Sequence, residues 1–273
     1  MSEKVALVTG GGSGIGRAVA LELAAAGFAI AVNDINKEAG EETLDALGGR
    51  NRDTFYGADI SDSGRVKEMF RALDERYGRL DVLVNNAGVP GRFSLLADMG
   101  DQTWERTIGV HLNGSFFCLR AAAGMMLPAK RGRIINMASI AGLNGTVGSG
   151  EYGAAKAGVI NLTRTAAKEM GAYGITVNAI APGMVATPVN TALREKGSPF
   201  IETAEDSTPT GRMTTPEEIA GLVVFLTTET AANITGQVIV VDGAAEISMS
   251  MDKFMHSLIT RKSETLTGKE DGR

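Results

Sequence analysis

Residues 4–27 read KVALVTGGGSGIGRAVALELAAAG, an apolar run that passes through a cluster of glycines into a second run with helical spacing of its apolar residues. A strand, a tight glycine turn and a helix in that order set the helix N-terminus, with its unpaired amides, at the strand's C-terminal end. The glycines at 10, 14 and 16 are spaced G-x3-G-x-G, with Ile15 inside the motif and Gly11 and Gly12 ahead of it. This spacing is a variant of the dinucleotide-binding device and does not satisfy G-x-G-x-x-G. Small residues let the backbone turn sharply and bring amides close to a pyrophosphate. A plain glycine-rich turn without a ligand stands as the alternative.

The same rhythm continues along the chain. Strand-like runs occupy 4–9, 28–34, 53–59, 80–86, 133–139, 175–182 and 237–243, and helical stretches lie between them at 14–26, 37–47, 63–77, 103–127, 152–172 and 216–228. Several runs show little alternation of apolar and polar positions, as strands covered on both faces should. The pattern predicts an α/β fold, a doubly wound parallel sheet with helices on both faces. No linker-like break interrupts it, so residues 1–243 are expected to form one domain. Within it, 184–214 carries Pro188, Gly197, Pro199, Pro209 and Gly211 and reads as a long mobile excursion. Residues 244–273 form a C-terminal extension that starts apolar and ends polar. Its last dozen residues are expected to be disordered, and the Met and Phe of 249–258 suit either a partner-facing helix or one packed on the parent domain.

Charge and cysteine content exclude several classes. With 27 Lys and Arg against 32 Asp and Glu, the net charge is −5, and no basic cluster offers a nucleic-acid footprint. A single cysteine, Cys118, rules out an internal disulfide framework or a multi-cysteine metal site and suits a reducing compartment. No run approaches 18 apolar residues, and the start lacks a cationic segment followed by a long apolar one. The expectation is a cytoplasmic protein with no membrane or nucleic-acid partner and no metal.

The second strand ends at Asp34, 18 residues after Gly16, where a carboxylate would accept hydrogen bonds from the adenosine ribose. A ribose 2′-phosphate would be repelled there, and no Lys or Arg follows before Lys37, which predicts NAD over NADP. A solvated strand-end aspartate is the bland reading. Further on, SIAGLNGTVGSGEYGAAK carries Ser139, Tyr152 and Lys156. Tyr152 and Lys156 are four apart and share a helix face. A phenol is a poor base at neutral pH, and a neighbouring ammonium lowers its pKa toward a useful range. Ser139 can hydrogen-bond the oxygen of a carbonyl or alcohol. On its own, a Tyr–Lys pair four apart is common on any helix.

Taken together, TGGGSGIG, Asp34, ADI (58–60), NNAG (85–88), SIAG, YGAAK and PGMVAT (182–187) resemble, in number and order, the single-domain branch of the short-chain dehydrogenase/reductase family. The resemblance covers residues 4–243. It implies a seven-stranded Rossmann-type sheet and hydride transfer between NAD(H) and a secondary alcohol or ketone. It further implies that Asp59 and Ile60 contact the adenine, that Asn86, within the same motif as Gly88, lies on the ribose side, and that Lys156 also bonds the nicotinamide ribose. In PGMVAT, with Pro182 and Gly183, Val185 and Thr187 would hold the carboxamide. Most such proteins are homo-oligomers, so an oligomer is expected through the helices at 103–127 and 152–172, a tetramer in preference to a dimer.

One stretch departs from the pattern. In GVHLNGSFF (109–117), aligned on Val110, Leu112 and Gly114, the position that usually holds an asparagine of a Ser–Tyr–Lys–Asn relay is His111. Asn113 is two residues late, roughly 200° around a helix, and should point away. His111 would preserve the relay through its backbone carbonyl while its ring packs; alternatively its imidazole joins the relay, or the local structure shifts and Asn113 takes part. Two other functions stay open: an NAD-dependent epimerase or dehydratase, and a non-catalytic dinucleotide-binding regulatory protein. The substrate pocket should be bounded by 91–96, 140–150 and 184–214. Phe93, Leu95, Leu143, Val147, Met184 and Phe200 suggest a partly apolar substrate, with Arg92, Arg194, Lys196 and Arg212 available to an anion or, as the bland reading, to solvent.

Overall fold

The computed structural model describes residues 3–248 apart from 51 and 92. Seven strands, β1 (Val5–Thr9), β2 (Ala29–Asp34), β3 (Thr54–Gly57), β4 (Val82–Asn85), β5 (Gly132–Met137), β6 (Ile175–Pro182) and β7 (Val238–Val241), form one sheet in the order β3-β2-β1-β4-β5-β6-β7. Every pairing is parallel. The order reverses between β1 and β4, which opens a crevice at the carboxyl ends of the central strands.

Side-chain alternation along the strands feeds two cores. Val5 and Leu7 of β1, Ala31 of β2 and Ile134 of β5 pack with α3 (Ser63–Tyr77), α5 (Ser115–Ala129) and α7 (Gly150–Met170). Ala6, Val8, Ile30, Val32 and Ile135 point the other way, to α1 (Gly14–Ala25) and α10 (Pro216–Thr227). Both faces are buried, so both positions of the two-residue repeat are mostly apolar, and the strands read as near-continuous apolar runs. The helices start at recognisable signals. Asp62 accepts hydrogen bonds from the Gly64 and Arg65 amides ahead of α3, and Thr215 with Glu218 forms a reciprocal capping box ahead of α10.

Two stretches differ from the sequence expectation. The helix expected at 103–127 is broken: α4 (Asp101–Ile108) ends in a single π-helical turn over Gly109–Gly114 before α5 resumes. A π turn inserts one extra residue and changes the direction in which the next side chains point. Its closing residue, Gly114, faces Ile60, whose Cδ1 lies 2.6 Å from where a Cβ would stand. The 184–214 excursion holds two short helices, α8 (Pro188–Glu195) and α9 (Pro199–Ser207), each opened by a proline. The expectations for 249–273 lie outside the described residues, among which no helix is long and apolar enough to cross a membrane.

The turn after β1 brings backbone very close to backbone. A Cβ on Gly16 would run into the Gly10 carbonyl, and Gly10 itself has φ +62°. Gly16→Ala should therefore destabilise the ligand-free protein by about 2–4 kcal/mol, measured by urea unfolding.

Candidate active site

The carboxyl ends of β1 and β4 are tied to each other by polar contacts. Thr9 Oγ1 accepts the Asn86 and Ala87 amides at 3.0 and 3.1 Å, and Asn86 Nδ2 donates to the Thr9 and Gly10 carbonyls, both at 3.1 Å. Asn86 thus braces the glycine turn from below. At the start of α1, Ser13 makes no side-chain cap hydrogen bond, which leaves the first-turn amides beside Gly14 and the partly buried Ile15 for another acceptor.

Asp34 reaches the same turn from β2. Its Oδ2 accepts the Gly12 amide at 2.9 Å and its Oδ1 the Asn36 amide at 2.9 Å. The nearby cations are committed elsewhere: Arg17 pairs with Glu42 at 2.8 Å and Lys37 with Glu41 at 3.6 Å. Asp59 is exposed and binds its own turn through Ser61. Ile60 is buried against Gly114, so its side chain is unavailable to a ligand and only its backbone is open to contact. On the far side, Thr187 lies against Gly14, while Gly183 is packed on Asp242. Val185 is buried and bridged to Thr214, and Asn190 Nδ2 holds its carbonyl at 2.8 Å. Glycines packed too closely on Ala87, Asp34 and the Gly10 carbonyl to carry side chains, uncapped first-turn amides and a carboxylate at the end of β2 fit a nicotinamide dinucleotide.

Ser139, Tyr152 and Lys156 converge at the ends of β5 and α7. The Ala138 amide pairs with Ile180 and the Ile140 amide with Pro182, so the β5–β6 ladder extends through the segment that carries Ser139. The short helix α6 (Ala141–Asn144) crosses α7 at Gly142, where a Cβ would meet Lys156 and Ala157 at 2.7–2.8 Å. Lys156 Nζ is buried, donates to the Met137 carbonyl at 2.6 Å and lies 5.6 Å from the centre of the Tyr152 ring. Burial pushes its pKa down to about 8. Burial also raises the Tyr152 phenol above its ordinary value, against a hydrogen bond with Ser139 that lowers it. The lowering expected from Lys156 is not seen at the phenol.

His111 occupies the π turn and Asn113 points to solvent, so the register in which Asn113 joins the site is not adopted. The His111 carbonyl accepts from Ser115 Oγ at 2.7 Å. Its ring stands edge-on to Tyr152 at 5.1 Å and fills the space that Gly88 leaves by lacking a Cβ. Nε2 lies 3.2 Å from the Val89 amide and 3.0 Å from the Val89 carbonyl. A single ring nitrogen can accept from one or donate to the other, never both. Nδ1 is buried without a partner. Burial first, and then the Lys156 charge, push the imidazole from 6.5 down to about 3. It therefore stays neutral where an imidazole relay would have to titrate.

Several contributors had no signal strong enough to pick out beforehand. Asn85 Nδ2 donates to Asn136 Oδ1 at 2.9 Å and to the Ser115 carbonyl at 3.2 Å, and Asn136 Nδ2 donates to Thr163 Oγ1 at 2.9 Å. This buried chain ties β4 and β5 to α5 and α7 beneath the site. Its only mark in the sequence is asparagine inside two apolar strands. Glu151, next to Tyr152, is fully buried with neither carboxylate oxygen partnered, and nothing in the structure explains it.

An asparagine carries both a donor and an acceptor and can serve both Val89 groups. His111→Asn should leave turnover within about tenfold of wild type, a barrier change under about 1.4 kcal/mol. It should also flatten the acid limb of stability. The folded pKa lies below the unfolded one, so the unfolded chain binds more protons between about 3 and 6.5, and the stability present above 6.5 is lost as pH falls through that window. Melting temperatures across the window check this.

Residues 10–245 match the family model described as "Enoyl-(Acyl carrier protein) reductase". The chain is 39% identical over 248 residues to the (2S)-[(R)-hydroxy(phenyl)methyl]succinyl-CoA dehydrogenase subunit of Thauera aromatica, covering 90% of this chain and 98% of that one. It is also 39% identical over 245 residues to the 3-oxoacyl-[acyl-carrier-protein] reductase of Thermotoga maritima, covering 89% and 98%. The crystal structure of levodione reductase superposes with a TM-score of 0.85 at 33% identity, covering 91% of this chain and all of that one. The sheet order, the glycine turn and these likenesses agree: the chain belongs to the short-chain dehydrogenase/reductase family, whose members bind a nicotinamide dinucleotide.

Proposed function

We propose that this protein is an NAD-dependent oxidoreductase that moves a hydride between NAD(H) and a secondary alcohol or its ketone, with Tyr152 as general acid/base. The observation that carries this reading is the convergence of Ser139, Tyr152 and Lys156 at the carboxyl edge of the sheet, next to the glycine turn. The nicotinamide, when bound, supplies the hydride acceptor or donor. Gly10, Gly14, Ile15 and Gly16 would cradle the pyrophosphate, and Asp34 the adenosine ribose. Asp59, the Ile60 backbone, Asn86, Gly88, Pro182, Gly183, Val185 and Thr187 would line the remainder of the cleft. Ser139 Oγ, hydrogen-bonded to Tyr152, orients the substrate oxygen. Tyr152 then takes the alcohol proton in oxidation and returns it in reduction. Lys156 sits close enough to stabilise the phenolate once its hold on Met137 is shared with a ribose hydroxyl. His111 contributes its carbonyl and, as a neutral ring, an edge-on support for Tyr152.

Asp34 favours NAD because its charge opposes a 2′-phosphate and Arg17 and Lys37 are already paired. Half-exposed Trp104 on α4 and Phe116 on α5, the latter beneath the Arg120 guanidinium, suit contact with another copy and a homo-oligomer, a tetramer in preference to a dimer. The buried free thiol of Cys118 suits the cytoplasm.

Two measurements test the reading. With secondary alcohols and NAD, kcat/KM should rise with pH as the phenol ionises, and Tyr152→Phe should cut kcat by about 10²–10⁴ while leaving NADH binding intact. Cofactor binding with no turnover on a broad alcohol panel would overturn it. NADP should be used at least about tenfold less efficiently than NAD, and Asp34→Ser should remove most of that difference.

A further inference from the structure

We infer that the substrate half of this site is built for an uncharged, apolar body attached to the reacting alcohol or ketone carbon, and that it discriminates against carboxylated or phosphorylated substrates. This rests on the oxidoreductase reading above. The wall that runs from Ser139 to Gly150 contains no charged residue, and Glu151 just beyond it is fully buried. The facing segment, 86–97, contains one, Arg92, which is outside the described residues. These two segments lie side by side. Ser94 bridges to Ser149 and its amide donates to the Gly148 carbonyl at 3.0 Å, the Phe93 ring rests on Gly148, and Leu96 rests on Gly150, two residues before Tyr152.

The rim formed there is open and apolar. Phe93 is 80% exposed and Val147 82%, with Leu95 and Leu96 beside them. Val189 and Leu193, four apart on α8, add a second exposed apolar stripe on the helix that starts against Gly14. The apolar side chains grouped at 93–96 and 147, beside Tyr152, mark a binding surface. Two of the cations expected to be available to an anion are already committed: Arg194 pairs with Glu205 at 3.2 Å, and Arg212 holds both Glu218 oxygens at 2.7 and 2.9 Å. A charged substrate entering here would lose hydration against this apolar rim, whereas an apolar one removes the rim from water.

The test compares isosteric pairs of secondary alcohols, neutral against carboxylated, and a homologous series of lengthening alkyl alcohols, all with NAD. The neutral member should have at least about tenfold higher kcat/KM, and each added methylene should raise kcat/KM about threefold to fourfold over the first few carbons. Phe93→Ser with Val147→Ser should flatten that slope without altering the oligomeric state in size-exclusion chromatography. A preference for the carboxylated member or a flat slope in the wild type overturns the inference. So does a double variant that changes the oligomeric state and leaves the slope, since the rim would then be covered by a second copy. If no alcohol turns over, calorimetry on Tyr152→Phe saturated with NADH decides: tighter binding of the neutral ketone sustains the apolar site while the redox reading falls, and equal or weaker binding overturns the inference as well.

Discussion

The carbonyl of Gly10 lies where a side chain on Gly16 would begin, and the arrangement of the site depends on that approach. It draws α1 onto the end of β1 and leaves the first-turn amides of the helix aimed at the crevice between β1 and β4. Asn86, just past β4, holds the turn through Thr9 of β1 and the Gly10 carbonyl, and Asp34 holds it from β2, so three strand ends meet around one backbone loop. The glycine-turn end of the crevice is thereby built mostly from backbone, which cannot drift without disturbing the parallel sheet beneath it.

The end that holds Ser139, Tyr152 and Lys156 is organised differently, by side chains buried with few spare partners. Lys156 is inside the protein and meets its burial by donating to Met137, at the end of the strand that leads to Ser139. Burial works on both members of the Tyr–Lys pair in the direction of the neutral form, raising the phenol and lowering the amine.

His111 shows how a residue can depart from a family's habit while the backbone arrangement holds. The π turn presents its carbonyl at the bend of the helix, and any residue there would supply one. The ring occupies room that exists only because residue 88 is glycine, and it is left with one nitrogen facing two backbone groups and the other facing none. The imperfect match is tolerated because the ring is neutral: an orphaned lone pair costs far less than a buried charge.

Much of the fold was legible in the sequence because it is written in local terms. Apolar runs without alternation demand a sheet covered on both sides, and the glycine spacing, the carboxylate after β2 and the Tyr–Lys step of four are read by counting along the chain. Ser139, Tyr152, Lys156, Asp34 and the glycines are found where that counting put them relative to the sheet. The π turn at 109–114 was not legible from spacing along the chain, and its last residue, Gly114, packs against Ile60 of another segment. Nor was the inward turn of Ile60, the Asn85–Asn136–Thr163 chain, or the commitment of Lys156 to Met137 and of Arg194 and Arg212 to their acidic partners. Residue types, order and periodicity thus determined the parallel sheet and the glycine turn at the end of β1. Tertiary packing alone decided which polar atoms were already satisfied, because a hydrogen bond's partner is set by distance across elements and leaves no trace in the spacing along either one.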